Sequence, residues 1–188
     1  RDWSSDVCSS DLPFETLYDA FKTYKRLVLL GEPGAGKTVA LQDFKKNISK
    51  KERQAENNSL VIFVSIQKWK YPADIVTFLA KEIGKTEEDF RKEIQTKRLL
   101  LLLDGLDELP SNVSKRSESR DAEIIDYRVH FLSKLSDFSR NLNPNNISIV
   151  MTCRKRDYEE IRRKIQEEKK DFKDIFHGLV VQIGRAHV

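Results

Sequence analysis

Two short stretches of this chain carry residue types whose spacing could do chemistry on a phosphate. GEPGAGKT, residues 31–38, is a glycine-rich run closing on Lys37 and Thr38. LLLLLDGLDELP, residues 99–110, is an apolar run closing on Asp104, with Asp107 and Glu108 just beyond it. In the first stretch, Gly31, Gly34 and Gly36 let the backbone curl around an anion, with Glu32, Pro33 and Ala35 forming the rest of the curl. Successive N–H groups then point inward, and a helix starting near Gly36 adds its positive end to the same spot. In such a loop Lys37 reaches the β- and γ-phosphates of a nucleotide, and the Thr38 hydroxyl is a ligand for Mg²⁺. The alternative is an ordinary glycine turn, and only a strand before the loop and a helix after it favour the first reading.

The second stretch needs more explanation, because one acid at a strand end is enough to hold a metal ion. Asp104 stands where a second acid holds Mg²⁺, usually through water. The next residue is Gly105, small enough to let another group approach, and the further acids come at Asp107 and Glu108. They could be a solvated turn at a helix start. Against that, Leu106 and Leu109 bracket the pair and would anchor the turn, holding both carboxylates beside the metal.

The elements that must position these residues alternate. RLVLL (26–30), LVIFVSI (60–66), RLLLLL (98–103), ISIVMT (147–152) and LVVQ (179–182) read as buried strands, with LVIFVSI expected to be covered on both faces. Helical spacing appears at Phe14–Lys25, from Lys37 through Ile48 up to a polar turn KKERQAENNS, and at Pro72–Ile83, Glu87–Thr96, Asp121–Leu142 and Arg156–Asp174. Thr86 with Asp89 three residues on reads as a capping-box variant for the fourth of these. Ser111–Arg120 reads as loop. The expectation is an α/β fold with a mostly parallel five-stranded sheet and helices on both faces.

The two ends do not belong to that pattern. DVCSSD (6–11) can be encoded as GAC GTG TGC TCT TCC GAT, whose reverse complement translates as IGRAHV, the last six residues. Residues 1–12 and 183–188 are therefore expected to be adapter-like, non-native scars flanking an incomplete core at 13–182. With Cys8 set aside, Cys153 stands alone, so no disulfide framework exists and a reducing, cytoplasmic setting is expected. Cys153 itself is most simply a small buried residue. The net charge is +4 and its bases are spread along the chain, which argues against a nucleic-acid surface as the primary feature. No apolar run approaches the ~20 residues a membrane helix needs.

GEPGAGKT, LLLLLDGLDEL and IVMTCRKRDY (149–158), with VIFVSIQKWK (61–70) between the first two, resemble the NACHT family of STAND nucleotide-switch ATPases over residues 26–182. The resemblance implies a P-loop NTPase three-layer sandwich that binds ATP or ADP with Mg²⁺, held by Thr38 and Asp104. It implies that the distal acids orient or activate water, Asp107 before Glu108, and that Arg154 senses the γ-phosphate. Many relatives carry Ser-Arg-Pro where this chain has Cys153-Arg154-Lys155, so the arginine carries over and the proline-fixed turn does not. It further implies slow hydrolysis, homo-oligomerisation through the core, a C-terminal winged helix and sensor region outside this chain, and immune or antiphage-type signalling. A stand-alone P-loop ATPase with continuous turnover is the alternative. Such an enzyme should show a substrate-binding insertion, and Ser111–Arg120 is short and without aromatics.

Overall fold

Period-two alternation divides each buried strand of this chain between two layers of helices. The computed structural model describes residues 17–54, 58–111, 113–115, 123–168 and 179–182. In chain order the elements are α1 (Leu17–Thr23), β1 (Arg26–Leu30), α2 (Lys37–Gln54), β2 (Ser59–Ser65), α3 (Ile75–Glu82), α4 (Glu87–Thr96) and β3 (Arg98–Asp104). There follow β4 (Val113–Lys115), β5 (Glu123–Ile125), α5 (Tyr127–Arg140), β6 (Ile147–Cys153), α6 (Lys155–Glu167) and β7 (Leu179–Gln182). The main sheet has five strands in the order β2-β3-β6-β1-β7, and every neighbouring pair is parallel.

The leucine run of β3 shows how alternation sets the layers. Leu99, Leu101 and Leu103 join one core with Val28, Leu30, Ile149, Met151 and residues of α3, α4, α5 and α6. Leu100 and Leu102 join the other with Leu27, Leu29, Val150 and the buried faces of α1 and α2, namely Ala20, Phe21, Leu41, Phe44 and Ile48. By the same parity Asp104 belongs to the α2 side, the side on which Thr38 begins its helix. The site's geometry thus follows from an even residue number on a strand buried from Leu99 to Leu103.

Several local expectations are met for physical reasons. Thr86 caps α4: its hydroxyl accepts from the Asp89 N–H at 3.1 Å and donates to the Asp89 carboxylate at 2.8 Å. The second bond replaces the return to the cap's own N–H, because Asp is one methylene shorter than Glu. Asp74 caps α3 through the Val76 N–H at 3.1 Å, so that helix starts at Ile75 rather than at Pro72.

Others are corrected. The strand at Ser59–Ser65 is not buried on both faces: Ile62 and Val64 are buried, but Val61 and Phe63 are only half-buried. It lies at the edge of the sheet, where α2 covers it incompletely. KKERQ continues α2 as far as Gln54 instead of ending it. Helix α5 starts at Tyr127, not Asp121, because the Asp126 carboxylate accepts from the Arg128 N–H at 2.9 Å and caps it there. Upstream, Val113–Lys115 and Glu123–Ile125 pair antiparallel within a stretch expected to be loop and helix. Ile125 matched the helical spacing by coincidence. Phe14, the segment 169–174 that was to complete the last helix, and the ends at 1–12 and 183–188 lie outside the described residues. Among the described residues no helix is long and apolar enough to cross a membrane.

Candidate functional site

The carboxyl ends of β1, β3 and β6 lie side by side, and the chain leaving each carries part of one site. In an open parallel sheet this end is where ligands bind. After β1 the loop passes through Gly34 at φ 77 and Gly36 at φ 81, left-handed values that glycine adopts at little cost and residues with a Cβ rarely do. A Cβ built at either would meet nothing within 4 Å, so the loop encloses open space. Lys37 folds back over this loop, its Nζ donating to the Gly31 carbonyl at 2.8 Å and the Glu32 carbonyl at 3.1 Å. The Ala35 N–H closes the outer turn on the Glu32 carbonyl at 3.1 Å. The amides of Gly36, Lys37 and Thr38 enter the first turn of α2, where no preceding turn supplies acceptors.

After β3 the chain reverses at once. Gly105 is left-handed at φ 80 and ψ 55, and a tight turn over Leu106–Glu108 follows. Leu106 and Leu109 are buried, so the turn is anchored as their bracketing suggested. The Glu108 side chain lies over Gly105: a Cβ there would stand 2.7 Å from Glu108 Cδ. This is the approach that a small residue after Asp104 permits. Partial desolvation raises the Glu108 pKa above its ordinary value, and the charges of Asp104 and Asp107 add to this, with Arg154 and Lys37 opposing.

After β6, Arg154 pairs with Asp107. Its Nε lies 2.8 Å from Oδ2, and its backbone N–H donates to Oδ1 at 3.1 Å. The arginine side chain is half exposed, whereas that of Asp107 is 5% exposed. Asp104 accepts at Oδ1 from the Thr38 hydroxyl at 3.2 Å and from the Thr152 hydroxyl at 2.7 Å. A depression of about 330 Å³ is lined by Pro33, Gly34, Gly36, Lys37, Thr38, Asp104, Asp107, Glu108 and Arg154, so the sequence-derived residues converge from three separate segments. Gly31, Glu32 and Ala35 shape the loop behind that lining. Cys153 is buried on the opposite face, and its thiol is pushed up by burial first and then by Asp107 and Asp157, so it takes no part.

The donor set fits Mg²⁺. Hard oxygen from one carboxylate and one hydroxyl, with the remaining positions left to water and phosphate, is how that ion is usually held. A richer cage is not needed, and none of three or more His, Cys, Asp or Glu occurs among the described residues.

Two features escaped sequence reasoning. Thr152 was read only as the end of a strand; its polar type at the close of a wholly buried run was the available signal. Arg128 was not singled out at all, though it is 1% exposed and holds three carboxylates. Its Nε and Nη2 donate to Asp126 at 3.0 and 2.7 Å, and its Nη1 donates to Asp157 at 2.9 Å. Glu160 accepts from Nη2 at 3.0 Å and from Nη1 at 3.3 Å. Lys164 completes the network against Asp126 at 2.7 Å and Glu160 at 3.2 Å. The network clamps the start of α5 to α6, the helix that begins directly after Arg154.

Solved structures share the fold. The Aeropyrum pernix ORC1 protein, solved in complex with DNA, superposes with a TM-score of 0.53 at 13% identity over 85% of this chain. The Aeropyrum pernix ORC2 protein, solved as ADPNP–ADP complexes, gives 0.53 at 14% over 85%. This chain spans only 39% and 42% of those two proteins. No curated protein matches the chain. The family model of the NACHT domain matches residues 25–181, from the residue before β1 into β7 and across every segment of the site. The chain therefore belongs to the NACHT domain family and is a nucleotide-binding P-loop ATPase domain.

Proposed function

We propose that this domain is the nucleotide switch of a STAND-type signalling protein, closed with ADP and open with ATP, hydrolysing slowly between the two. The observation that carries this reading is the Arg154–Asp107 pair at the mouth of the phosphate loop. A permanently charged, half-exposed guanidinium with one acidic partner can exchange that partner for a γ-phosphate. Moving a two-state equilibrium from nearly all closed to nearly all open takes about 5.5 kcal/mol of differential binding. Two or three charge-assisted contacts at roughly 1.5–3 kcal/mol each are of that size.

The geometry supports a role for each residue. Lys37 and the loop amides bind the β- and γ-phosphates, and Thr38 and Asp104 hold Mg²⁺. Bound there, the ion would supply positive charge to offset the negative charge of the phosphates. Water attacks the γ-phosphorus, the bond to the β-bridging oxygen breaks, and the water's proton passes to a carboxylate, leaving ADP and inorganic phosphate. Glu108 lies back over Gly105, next to Asp104, which favours it as proton acceptor, while Asp107 holds the sensor until ATP binds. The raised pKa of Glu108 agrees with that role. Assembly of protomers through this core, a cytoplasmic setting and an immune-type output rest on the family resemblance.

Single-turnover hydrolysis with one equivalent of ATP tests the assignment. Glu108→Gln should slow the step by at least about 100-fold while ATP stays bound. The wild-type chain should retain its ADP after one turnover. Rapid ADP release with continued turnover would favour a stand-alone ATPase, and an unchanged rate in Glu108→Gln would remove that residue from the chemistry.

A further inference from the structure

We infer that Thr152 is a positioning residue that sets both the metal-holding acid and the turn carrying the distal carboxylates. This rests on the Mg²⁺–nucleotide reading of the site. The parallel ladder between β3 and β6 ends at Leu103 and Met151. One step further, Asp104 and Thr152 share the face turned toward α2, since Leu102 and Val150 are register partners on that face. Gly105, the first residue past the strand, is buried, so its N–H must find an acceptor. It donates to the Thr152 hydroxyl at 2.7 Å, in place of the strand carbonyl that would have continued the ladder.

A hydroxyl owns one proton. With its oxygen accepting from Gly105, that proton is directed to Asp104 Oδ1, also at 2.7 Å. Thr152 is 1% exposed, so its hydroxyl is shielded from bulk solvent. The consequence is twofold. The Asp104 carboxylate is held in one orientation and kept as an acceptor, ready for a cation on its remaining capacity. The backbone at Gly105 is pinned where the left-handed turn starts, which brings Glu108 back over it. Thr152 also stands two residues before Arg154, which follows directly on its strand, so the γ-phosphate sensor and the metal acid are referenced to one side chain.

The test compares nucleotide binding with and without Mg²⁺ in the 188-residue chain, using a fluorescent ADP and ATP as probes. Thr152→Val keeps the shape and loses the hydroxyl; Thr152→Ser keeps the hydroxyl and loses the methyl. Thr152→Val should bind ADP in EDTA within about 2-fold of wild type but need about 10-fold or more Mg²⁺ for the same gain in affinity, the usual cost of removing a group that orients a metal ligand. Thr152→Ser should restore the wild-type Mg²⁺ midpoint. A Thr152→Val midpoint equal to wild type overturns the inference, and so does a Thr152→Ser midpoint as poor as that of Thr152→Val, since packing and not the hydroxyl would then matter. If Thr152→Val does not fold, Thr152→Ala is read by the same criteria. A wild-type chain whose nucleotide affinity ignores Mg²⁺ overturns the underlying reading as well, and is told apart because no substitution is involved.

Discussion

Arg128 and Arg154 are both arginines facing carboxylates, and they stand at opposite ends of what such a pair can do. Arg128 is 1% exposed, and its guanidinium is shared among Asp126, Asp157 and Glu160. Its donors are satisfied within the fold, so it has nothing left to offer a ligand. Among the described residues Arg154 has one acidic partner, Asp107, and its side chain is 50% exposed. The first arrangement fixes α6 against α5; the second, at the front of the same helix, leaves a charge that can change partners. Saturation makes an anchor, and an exchangeable partner suits the sensor role proposed for Arg154.

The sharpest way to break this contrast is to remove the anchor. Arg128→Met leaves Asp126 buried with only Lys164 against it, and should cost about 3–5 kcal/mol of stability in a denaturant titration. A loss under ~1 kcal/mol would make the network ornamental. Lys37 extends the contrast to a second exchangeable cation, because its present partners are two loop carbonyls rather than acids. Lys37→Ala should weaken Mg-ATP binding by at least about 100-fold, two charge-assisted bonds being lost, with the melting temperature of the ligand-free chain little changed. Retained affinity in a calorimetric titration would refute the loop's assignment.

Acidity separates the two regions next. Burial raises the Asp126 pKa, but hydrogen bonds from Arg128 and Lys164 outweigh it and leave it below the ordinary 3.8. Glu160 is likewise held below 4.5, by Arg128 first and then against the opposing effect of burial. A depressed carboxylate stabilises the fold above its unfolded pKa and loses that contribution as pH falls through the folded one. Melting temperature should therefore hold down to the ordinary carboxylate range and fall below it. In Arg128→Met the fall should begin at higher pH, because burial would then raise Asp126 unopposed by its main partner. Coincident acid limbs for the two proteins would contradict the assignment. The smallest effect belongs to Arg154→Ala: the guanidinium is half exposed and the backbone N–H still serves the buried Asp107, so stability should change by no more than about 1 kcal/mol.

The same contrast marks what was legible in the sequence. The phosphate loop, Asp104 and the distal acids could be read because each is set by neighbours along the chain: glycines beside Lys37, a leucine run ending in an acid, apolar brackets at Leu106 and Leu109. The caps were legible for the same reason, as at Thr86 and Asp89. Arg128 and Thr152 were not, since Asp157 and Glu160, which join Asp126 around Arg128, and both partners of Thr152 lie 29 to 48 residues away and meet them only through helix packing or strand register. The half-buried edge strand Ser59–Ser65 was misjudged because composition reports what a strand could bury, not its place in the sheet. The short pair at Val113–Lys115 and Glu123–Ile125 carried no alternation long enough to detect.

The central claim is that Arg154 tells ATP from ADP by giving up Asp107 for a γ-phosphate. Dissociation constants of both nucleotides, with Mg²⁺, for the wild type and Arg154→Ala test it directly. The account predicts that ATP binding weakens by about 10-fold or more, as loss of one charge-assisted contact requires, while ADP binding stays within about 2-fold. Equal losses for the two nucleotides would mean that Arg154 only holds Asp107 in place, and the switch would have no sensor.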